Sequence, residues 1–324
     1  MFKRKKSIIK FVVVVTILLL GIQWPLNRYQ SVEDLYFTPN TERLGVWWWG
    51  MDILEDLSYL DFASRSGVTE IYLNQHELSV VNPNGVFGPN GMYDVVEPTR
   101  SFIREANRRG IRVYLLLSNT GSWLFPEGEN RFHQIMLGLL SYQELVDEDE
   151  RFAGLHLNIE PNQLQNNGYR YWDLGVAQQN ELMQRLIDFA VMVTSTYGDF
   201  LTIDWATGFW WKNFYVEYRG GILPLHHAII SEANTTFVMS FRANAYDTIE
   251  IAAPHIDFAM YLGKPIFIGA NIASSEGLEI DQYYHLGREY MYEELLRLPG
   301  YHPYDQLHVV IHEIVRWRHW RIWR

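Results

Sequence analysis

The sequence predicts a (β/α)8 TIM barrel preceded by an N-terminal signal or anchor helix. Eight short apolar stretches alternate with amphipathic stretches of helical period over about 270 residues. Long loops rich in Gly, Asn and Pro follow the predicted strands, whereas the helix-to-strand turns are short. The strand-to-helix loops of a barrel meet at one face, which carries the active site. A doubly wound open sheet is the alternative, and the first strand lacks the Gly-rich fingerprint that would favour it.

The predicted elements follow one another without a gap long enough for a second domain. Strands are expected at 44–49, 68–74, 111–117, 152–161, 200–206, 236–241, 265–270 and 307–312. Helices are expected at 52–65, 97–109, 132–147, 172–197, 225–233, 245–262 with a break near Pro254, and 282–298. The last segment, 313–324, is interpreted as a closing helix in preference to a membrane-surface patch.

The first 24 residues have the composition of an export signal. Residues 3–6 are all basic, and an almost purely apolar run occupies 11–22. No small-x-small cleavage site follows, so an uncleaved signal anchor is favoured over a cleaved signal peptide. The basic cluster stays inside, which predicts an extracytoplasmic body that is secreted or anchored by its N-terminus. We expect a connector at 25–43 and the barrel domain at 44–324.

Composition excludes several function classes. The chain has no cysteine, so it has no disulfide, thiolate metal site or Cys nucleophile. Six basic residues and no acid lie within 1–28, so the remainder carries a formal charge near −17 against −11 for the whole chain. An acidic body argues against nucleic acid as a partner. We predict neither a metal nor a cofactor; the oligomeric state is not predicted.

The fourth predicted strand is unusual because one of its faces is polar. His156, Asn158 and Glu160 alternate with apolar residues, although the strands of an α/β protein are normally apolar on both faces. Glu160 ends this strand, where a carboxylic acid can protonate a leaving group. His156 lies deeper and is interpreted as a hydrogen-bonded core histidine rather than a catalyst. Asn158 can orient Glu160 or a substrate amide.

Asp204 is the predicted partner of Glu160. It occupies the matching place on the fifth strand, and two carboxylates at one barrel mouth are the minimum for hydrolysis of a glycosidic bond. The alternative role for Glu160 and Asp204 is structural, as part of an ion pair inside the barrel or as a cap on the next helix. Further candidate substrate contacts lie at strand ends or in the loops that follow them: Tyr72, Asn74, Arg242, Asn271 and His312, with Trp47, Trp49, Trp123, Trp210 and Trp211 as stacking platforms.

From residue 45 to 312 the chain resembles bacterial glycoside-hydrolase-like barrel proteins and is distantly similar to family-18 glycoside hydrolases, the chitinases and their relatives. The resemblance rests on short motifs in order. These are Val-Trp-Trp-Trp at 46–49, Gly-Ser-Trp at 121–123, His-Leu-Asn-Ile-Glu-Pro at 156–161, Met-Ser-Phe-Arg at 239–242, Gly-Lys-Pro-Ile-Phe-Ile-Gly at 263–269 and the strand ending at His312.

The resemblance implies a barrel that acts on a polysaccharide with Glu160 as the general acid. Three positions depart from the family pattern. Asn158 stands where an Asp positions the substrate acetamido group, Phe241 where a Tyr is usual, and Asn271 where an acidic residue is common. These departures leave Asp204 as the base or nucleophile.

Three hypotheses follow. The first is an exported, membrane-tethered glycoside hydrolase that acts on a cell-envelope or extracellular polysaccharide. The second is a catalytically impaired glycan-binding protein on the same barrel. The third is an envelope protein with a structural or interaction role, since a fold alone does not define a function.

Overall fold

The computed structural model of the 324-residue chain describes residues 42–49, 54–74, 93–166, 169–272 and 282–320. The chain divides into one unit of residues 1–36, which lies outside the described residues together with the predicted signal and most of the connector, and a second unit of residues 37–324. Within the described residues, no helix is long and apolar enough to cross a membrane.

Eight parallel strands close into a barrel, which confirms the predicted fold. Their hydrogen-bonding order follows the chain, and the first strand pairs with the last. The strands are β1 Leu44–Trp48, β2 Glu70–Asn74, β3 Arg112–Asn119, β4 Gly154–Ile159, β5 Ile203–Gly208, β6 Thr235–Met239, β7 Ile266–Asn271 and β8 Leu307–His312. Sequential parallel strands require crossover connections, which the helices provide.

The helices surround the barrel. They are α1 Ser58–Arg65, α2 Tyr93–Asn107, α3 Pro126–Leu145, α4 Val176–Tyr197, α5 Leu225–Glu232, α6 Ala245–Leu262, α7 Arg288–Tyr301 and α8 Ile314–His319. Short 3₁₀ turns occupy Ser122–Leu124, Pro161–Gln163 and Phe209–Asn213, and a hairpin pairs Tyr215–Tyr218 with Gly221–Pro224. The closing helix expected after the last strand is therefore α8.

Two helix predictions were wrong at particular prolines. Helix α3 begins at Pro126 and not at 132. Proline favours the first turn of a helix because its φ is already helical. The N–H that it lacks would have no partner within the helix there. Helix α6 continues through Pro254 without the expected break. Its buried face, which includes His255 and Ile256, packs on both sides of the proline and keeps the helix in one piece.

Side chains that alternate along the strands form two cores. One lies between the strands and the helices. The other fills the barrel interior and contains Trp47, Tyr72, Tyr114, Leu116, Ala206, Phe237, Met239, Phe267 and Val310. Period-two alternation is therefore present even though both faces of each strand are buried.

The amino-terminal end of the barrel contains a buried ion-pair cluster centred on Glu70, the first residue of β2. Glu70 is fully buried and accepts a hydrogen bond from Arg43 Nε at 2.7 Å. Arg112 and the Tyr72 hydroxyl also donate to this carboxylate. The Glu70 carboxylate is thus satisfied by its neighbours at this end.

Candidate functional site

Glu160 follows β4 at the carboxyl end of the barrel, where the sequence predicted it. Its side chain is half-buried, and both carboxylate oxygens accept hydrogen bonds from amides. Asn158 Nδ2 donates to Oε1 at 3.0 Å, and Gln163 Nε2 donates to Oε2 at 2.7 Å. The two amides orient the carboxyl group; Asn158 is buried, whereas Gln163 is exposed.

Local sequence explains this arrangement. Asn158 and Glu160 are two residues apart on one strand, so their side chains share a face. Pro161 then begins the 3₁₀ turn that brings Gln163 back toward Glu160. Sequence reasoning missed Gln163; its available signal was the Glu-Pro-x-Gln spacing after a strand.

An aromatic wall lies at the same end of the barrel and consists of Trp47, Trp49, Phe241 and His312. The His312 ring centroid is 5.6 Å from that of Trp47, 5.9 Å from Trp49 and 6.0 Å from Phe241. Asn271 Oδ1 lies 3.4 Å from His312 Nδ1. The wall thus combines rings from three strand ends: those of β1, β6 and β8.

Gly269 on β7 makes room for this wall. A Cβ atom at residue 269 would lie 2.6 Å from Phe241 Cε1, closer than carbon atoms can approach. The position of Phe241 therefore depends on a glycine in the neighbouring strand.

His156 is a hydrogen-bonded core residue beneath the aromatic wall, as interpreted from the sequence. It is fully buried, and Trp47 Nε1 donates to its Nε2 at 3.1 Å. An indole N–H can only donate, so His156 carries its proton on Nδ1. Burial lowers the pKa of His156 to about 3 and keeps the ring neutral. Its role here is to hold Trp47.

Asp204 does not lie at the mouth, and this expectation was wrong. It is the second residue of β5, and it pairs in register with His156, four residues before Glu160. At about 3.3 Å per residue, this places it about 13 Å from Glu160 along the strand direction. Asp204 is fully buried, too deep and too distant to assist Glu160 in glycosidic cleavage.

The surroundings of Asp204 favour its neutral form. Burial and then the nearby Glu70 carboxylate raise its pKa to about 8, against the opposing effect of Arg43. Thr235, its register neighbour on β6, opposes the shift weakly. Asp204 belongs to the buried polar cluster at the amino-terminal end of the barrel.

Four predicted substrate contacts are buried in packing roles and are corrections to the sequence interpretation. Trp47 is 4% exposed and belongs to the interior core. Tyr72 is fully buried and bonds to Glu70. Trp123 is 5% exposed and packs on Phe132 with ring centroids 5.2 Å apart. Trp211 is fully buried in the outer core. A large aromatic residue in a loop is as suitable for packing as for binding, and its sequence position does not separate the two.

The other predicted contacts remain near the strand ends. Asn74 and Asn271 end β2 and β7 but are mostly buried. Arg242 is half-buried, and its guanidinium lies 5.2 Å from the Phe209 ring centroid. Trp210 is half-buried beside the same Phe209. Across the described ranges, no group of three or more His, Asp or Glu side chains is arranged to hold a metal ion.

Comparison with known proteins identifies the fold only. No protein-family model matches the sequence, and no curated protein matches it significantly. The endo-β-1,4-mannanase from Thermotoga petrophila shares 13% identity over 84% of this chain and 68% of its own, with a TM-score of 0.54. A chitinase from Bacteroides thetaiotaomicron shares 12% identity over 86% of this chain and 91% of its own, with a TM-score of 0.51. The chain has the barrel fold of these glycoside hydrolases, and the expected distant resemblance is confirmed at that level.

Proposed function

We propose that this chain is a glycan-acting hydrolase in which Glu160 is the general acid. The observation that carries the proposal is the placement of Glu160 at the carboxyl end of β4, with each oxygen held by a different amide. This end of a barrel is where catalytic residues lie. A carboxylic acid oriented there protonates the leaving oxygen of a glycosidic bond.

The aromatic wall supports a sugar as the ligand. Trp49 and Phe241 are only partly buried, so they present apolar ring surface at the mouth. Aromatic faces pack against the C–H groups of a pyranose ring, and the polar groups of Asn271, His312 and Arg242 lie close by. Apolar walls with a few placed polar groups are typical of ligand sites.

A second candidate function is glycan binding without turnover. Two observations favour it. Asp204 is too deep to serve as base or nucleophile, and Asn158 donates an amide hydrogen to Glu160 where the related enzymes have an Asp. A substrate acetamido group can replace the second protein carboxylate as the nucleophile. The hydrolase proposal therefore favours N-acetylated glycans, with Asn158 in the place of the Asp that positions this group in the enzymes the chain resembles.

A glycan screen distinguishes the two functions. Full-length protein is incubated with N-acetylated and plain polysaccharides, and reducing ends and bound glycan are measured separately. The hydrolase proposal predicts new reducing ends from an N-acetylated glycan, abolished by Glu160→Gln with binding retained. Binding without any new reducing ends selects the second function, whereas turnover by both variants at equal rates rejects Glu160 as the acid.

We further propose that the barrel is exported and tethered to the membrane by residues 1–24. The support is the basic cluster at 3–6 followed by the apolar run at 11–22. In intact cells that express the chain with a C-terminal tag, added protease is expected to remove the tag, and alkaline carbonate is expected to leave the protein in the membrane pellet. A tag protected until cell lysis contradicts export, and release by carbonate contradicts tethering.

A further inference from the structure

A groove on the outer side of the barrel has neither Glu160 nor a residue of the aromatic wall in its lining. It has a volume of about 540 Å³ between the Phe209–Asn213 turn, the start of α5 and the second half of α6. It is lined by Lys212, Asn213, His226, His227, Pro254, Asp257, Phe258 and Tyr261. These residues come from the helical layer and the turn after β5, so the groove is a separate surface from the aromatic wall.

Two buried histidines lie at this groove without normal hydrogen bonds. His226 lines the groove and is 3% exposed, and His255 behind it is fully buried; their ring centroids are 4.4 Å apart. Neither ring makes a hydrogen bond of normal geometry with any residue in the described part of the chain, but backbone groups of Pro254 and Gly208 interact with His226 and His255, respectively. The ring nitrogens of both histidines have almost no exposed surface, so they are not accessible to a ligand in this conformation.

Both rings are neutral at physiological pH. Burial, the neighbouring His227 and the Lys212 ammonium lower the pKa of His226 to about 4. Burial, His226 and Lys212 also lower the pKa of His255. Two neutral imidazoles add no positive charge to the groove.

Lys212 supplies the positive charge of the groove. It is half-buried and forms no ion pair with any of the described residues. The carboxylate among the lining residues, Asp257, lies 3.2 Å from His302 Nε2. The Lys212 ammonium is therefore placed to bind an external anion, most simply a carboxylate.

The rim of the groove is aromatic. The Phe258 ring stacks on His227 at 3.7 Å with an interplanar angle of 7°, and Tyr261 lies 6.1 Å from Phe258 at 28°. Tyr261 is 81% exposed, although a tyrosine of this size would be stabilised by burial. A flat exposed ring beside polar groups fits the apolar face of a sugar ring.

We propose that this groove is a second carbohydrate site and that it binds an acidic sugar residue. The sugar carboxylate pairs with Lys212, and the sugar ring packs on Tyr261. The site needs no contribution from Glu160, so this proposal does not depend on the proposed hydrolase activity.

The test is calorimetric titration of the full-length protein with a galacturonic acid trimer and a galactose trimer. The acidic trimer is expected to bind at least about tenfold more tightly than the neutral one, because only it bears a carboxylate for Lys212. Lys212→Met and Tyr261→Ala are each expected to weaken its binding by about tenfold or more. Tyr261 is exposed, so this variant keeps the test valid if Lys212→Met disturbs folding.

Two control variants locate the site. Tyr246→Ala removes another exposed tyrosine of α6, and Glu160→Gln alters the mouth; both are expected to leave acidic-trimer binding unchanged. The proposal is overturned if neither trimer binds, if both bind equally, or if acetate alone binds as tightly as the acidic trimer. Loss of binding in Glu160→Gln, with Lys212→Met unaffected, places the sugar at the mouth and also overturns it.

Discussion

Glu160→Gln is expected to lower kcat on the responsive glycan by about 10²- to 10⁴-fold, the range that a positioned general acid contributes. The amide has the size of the carboxyl group, and its oxygen can still accept from Asn158 or Gln163, so binding and folding are expected to persist. It cannot deliver a proton to the leaving oxygen. Initial rates over a range of glycan concentrations separate the loss in kcat from any change in KM.

An activated substrate makes this test independent of folding. An aryl glycoside has a leaving group that needs little protonation, so the loss in Glu160→Gln is expected to be much smaller on it than on the natural glycan. Glu144→Gln, an exposed carboxyl change on α3, is the matched control and is expected to be fully active. An equal loss on both substrates would mean that Glu160 acts on something other than the leaving group.

Asp204→Asn is expected to stabilise the protein at alkaline pH. The Asp204 pKa is about 8 in the folded chain and 3.8 in water, so the folded state binds this proton more tightly than the unfolded state. The contribution of Asp204 to the free energy of unfolding is therefore most favourable below pH 4 and falls as the pH rises toward 8. Above pH 8 the buried carboxylate costs up to about 6 kcal/mol, a cost that the neutral amide avoids.

Urea unfolding at pH 5, 7 and 8.5 measures this effect. The gain from Asp204→Asn is expected to be smallest at pH 5 and to reach several kcal/mol at pH 8.5. Asp199→Asn, at an exposed carboxyl, is the control and is expected to change stability by less than about 0.5 kcal/mol at every pH. Equal or lower stability of Asp204→Asn at pH 8.5 would show that the carboxylate is stabilised where it lies.

The barrel was predictable because its signals are local and repeated eight times. Each strand is an apolar stretch with turn residues after it, and β8 was placed at Leu307–His312 without error. The polar face of β4 was also readable, because residues two apart on a strand share a side. The sequence predicted that Asn158 can orient Glu160, and the two side chains are hydrogen-bonded in the structure.

Depth along a strand was not predictable. The fifth strand was expected at 200–206 but runs from Ile203 to Gly208. This shift moves Asp204 from near the end of the strand to its beginning, and therefore from the mouth to the base of the barrel. Strand boundaries depend on pairing with both neighbours, which a single sequence does not show.

The contacts of long side chains were the second feature that the sequence did not predict. Gln163 reaches Glu160 through a 3₁₀ turn, and the outer groove joins residues of a turn and two helices that are far apart in the chain. Some tryptophans near strand ends pack in the core, as Trp211 does, whereas others are partly exposed at the mouth, as Trp49 is. That division depends on which space the neighbouring helices leave open.

The most direct test of Glu160 as the general acid is a crystal structure of Glu160→Gln with an oligosaccharide of the glycan that the wild type cleaves. We expect sugar rings against Trp49 and Phe241, with the amide at position 160 within hydrogen-bond distance of a glycosidic oxygen. An oligosaccharide that binds elsewhere, with no glycosidic oxygen near residue 160, would contradict the assignment of Glu160 as the acid.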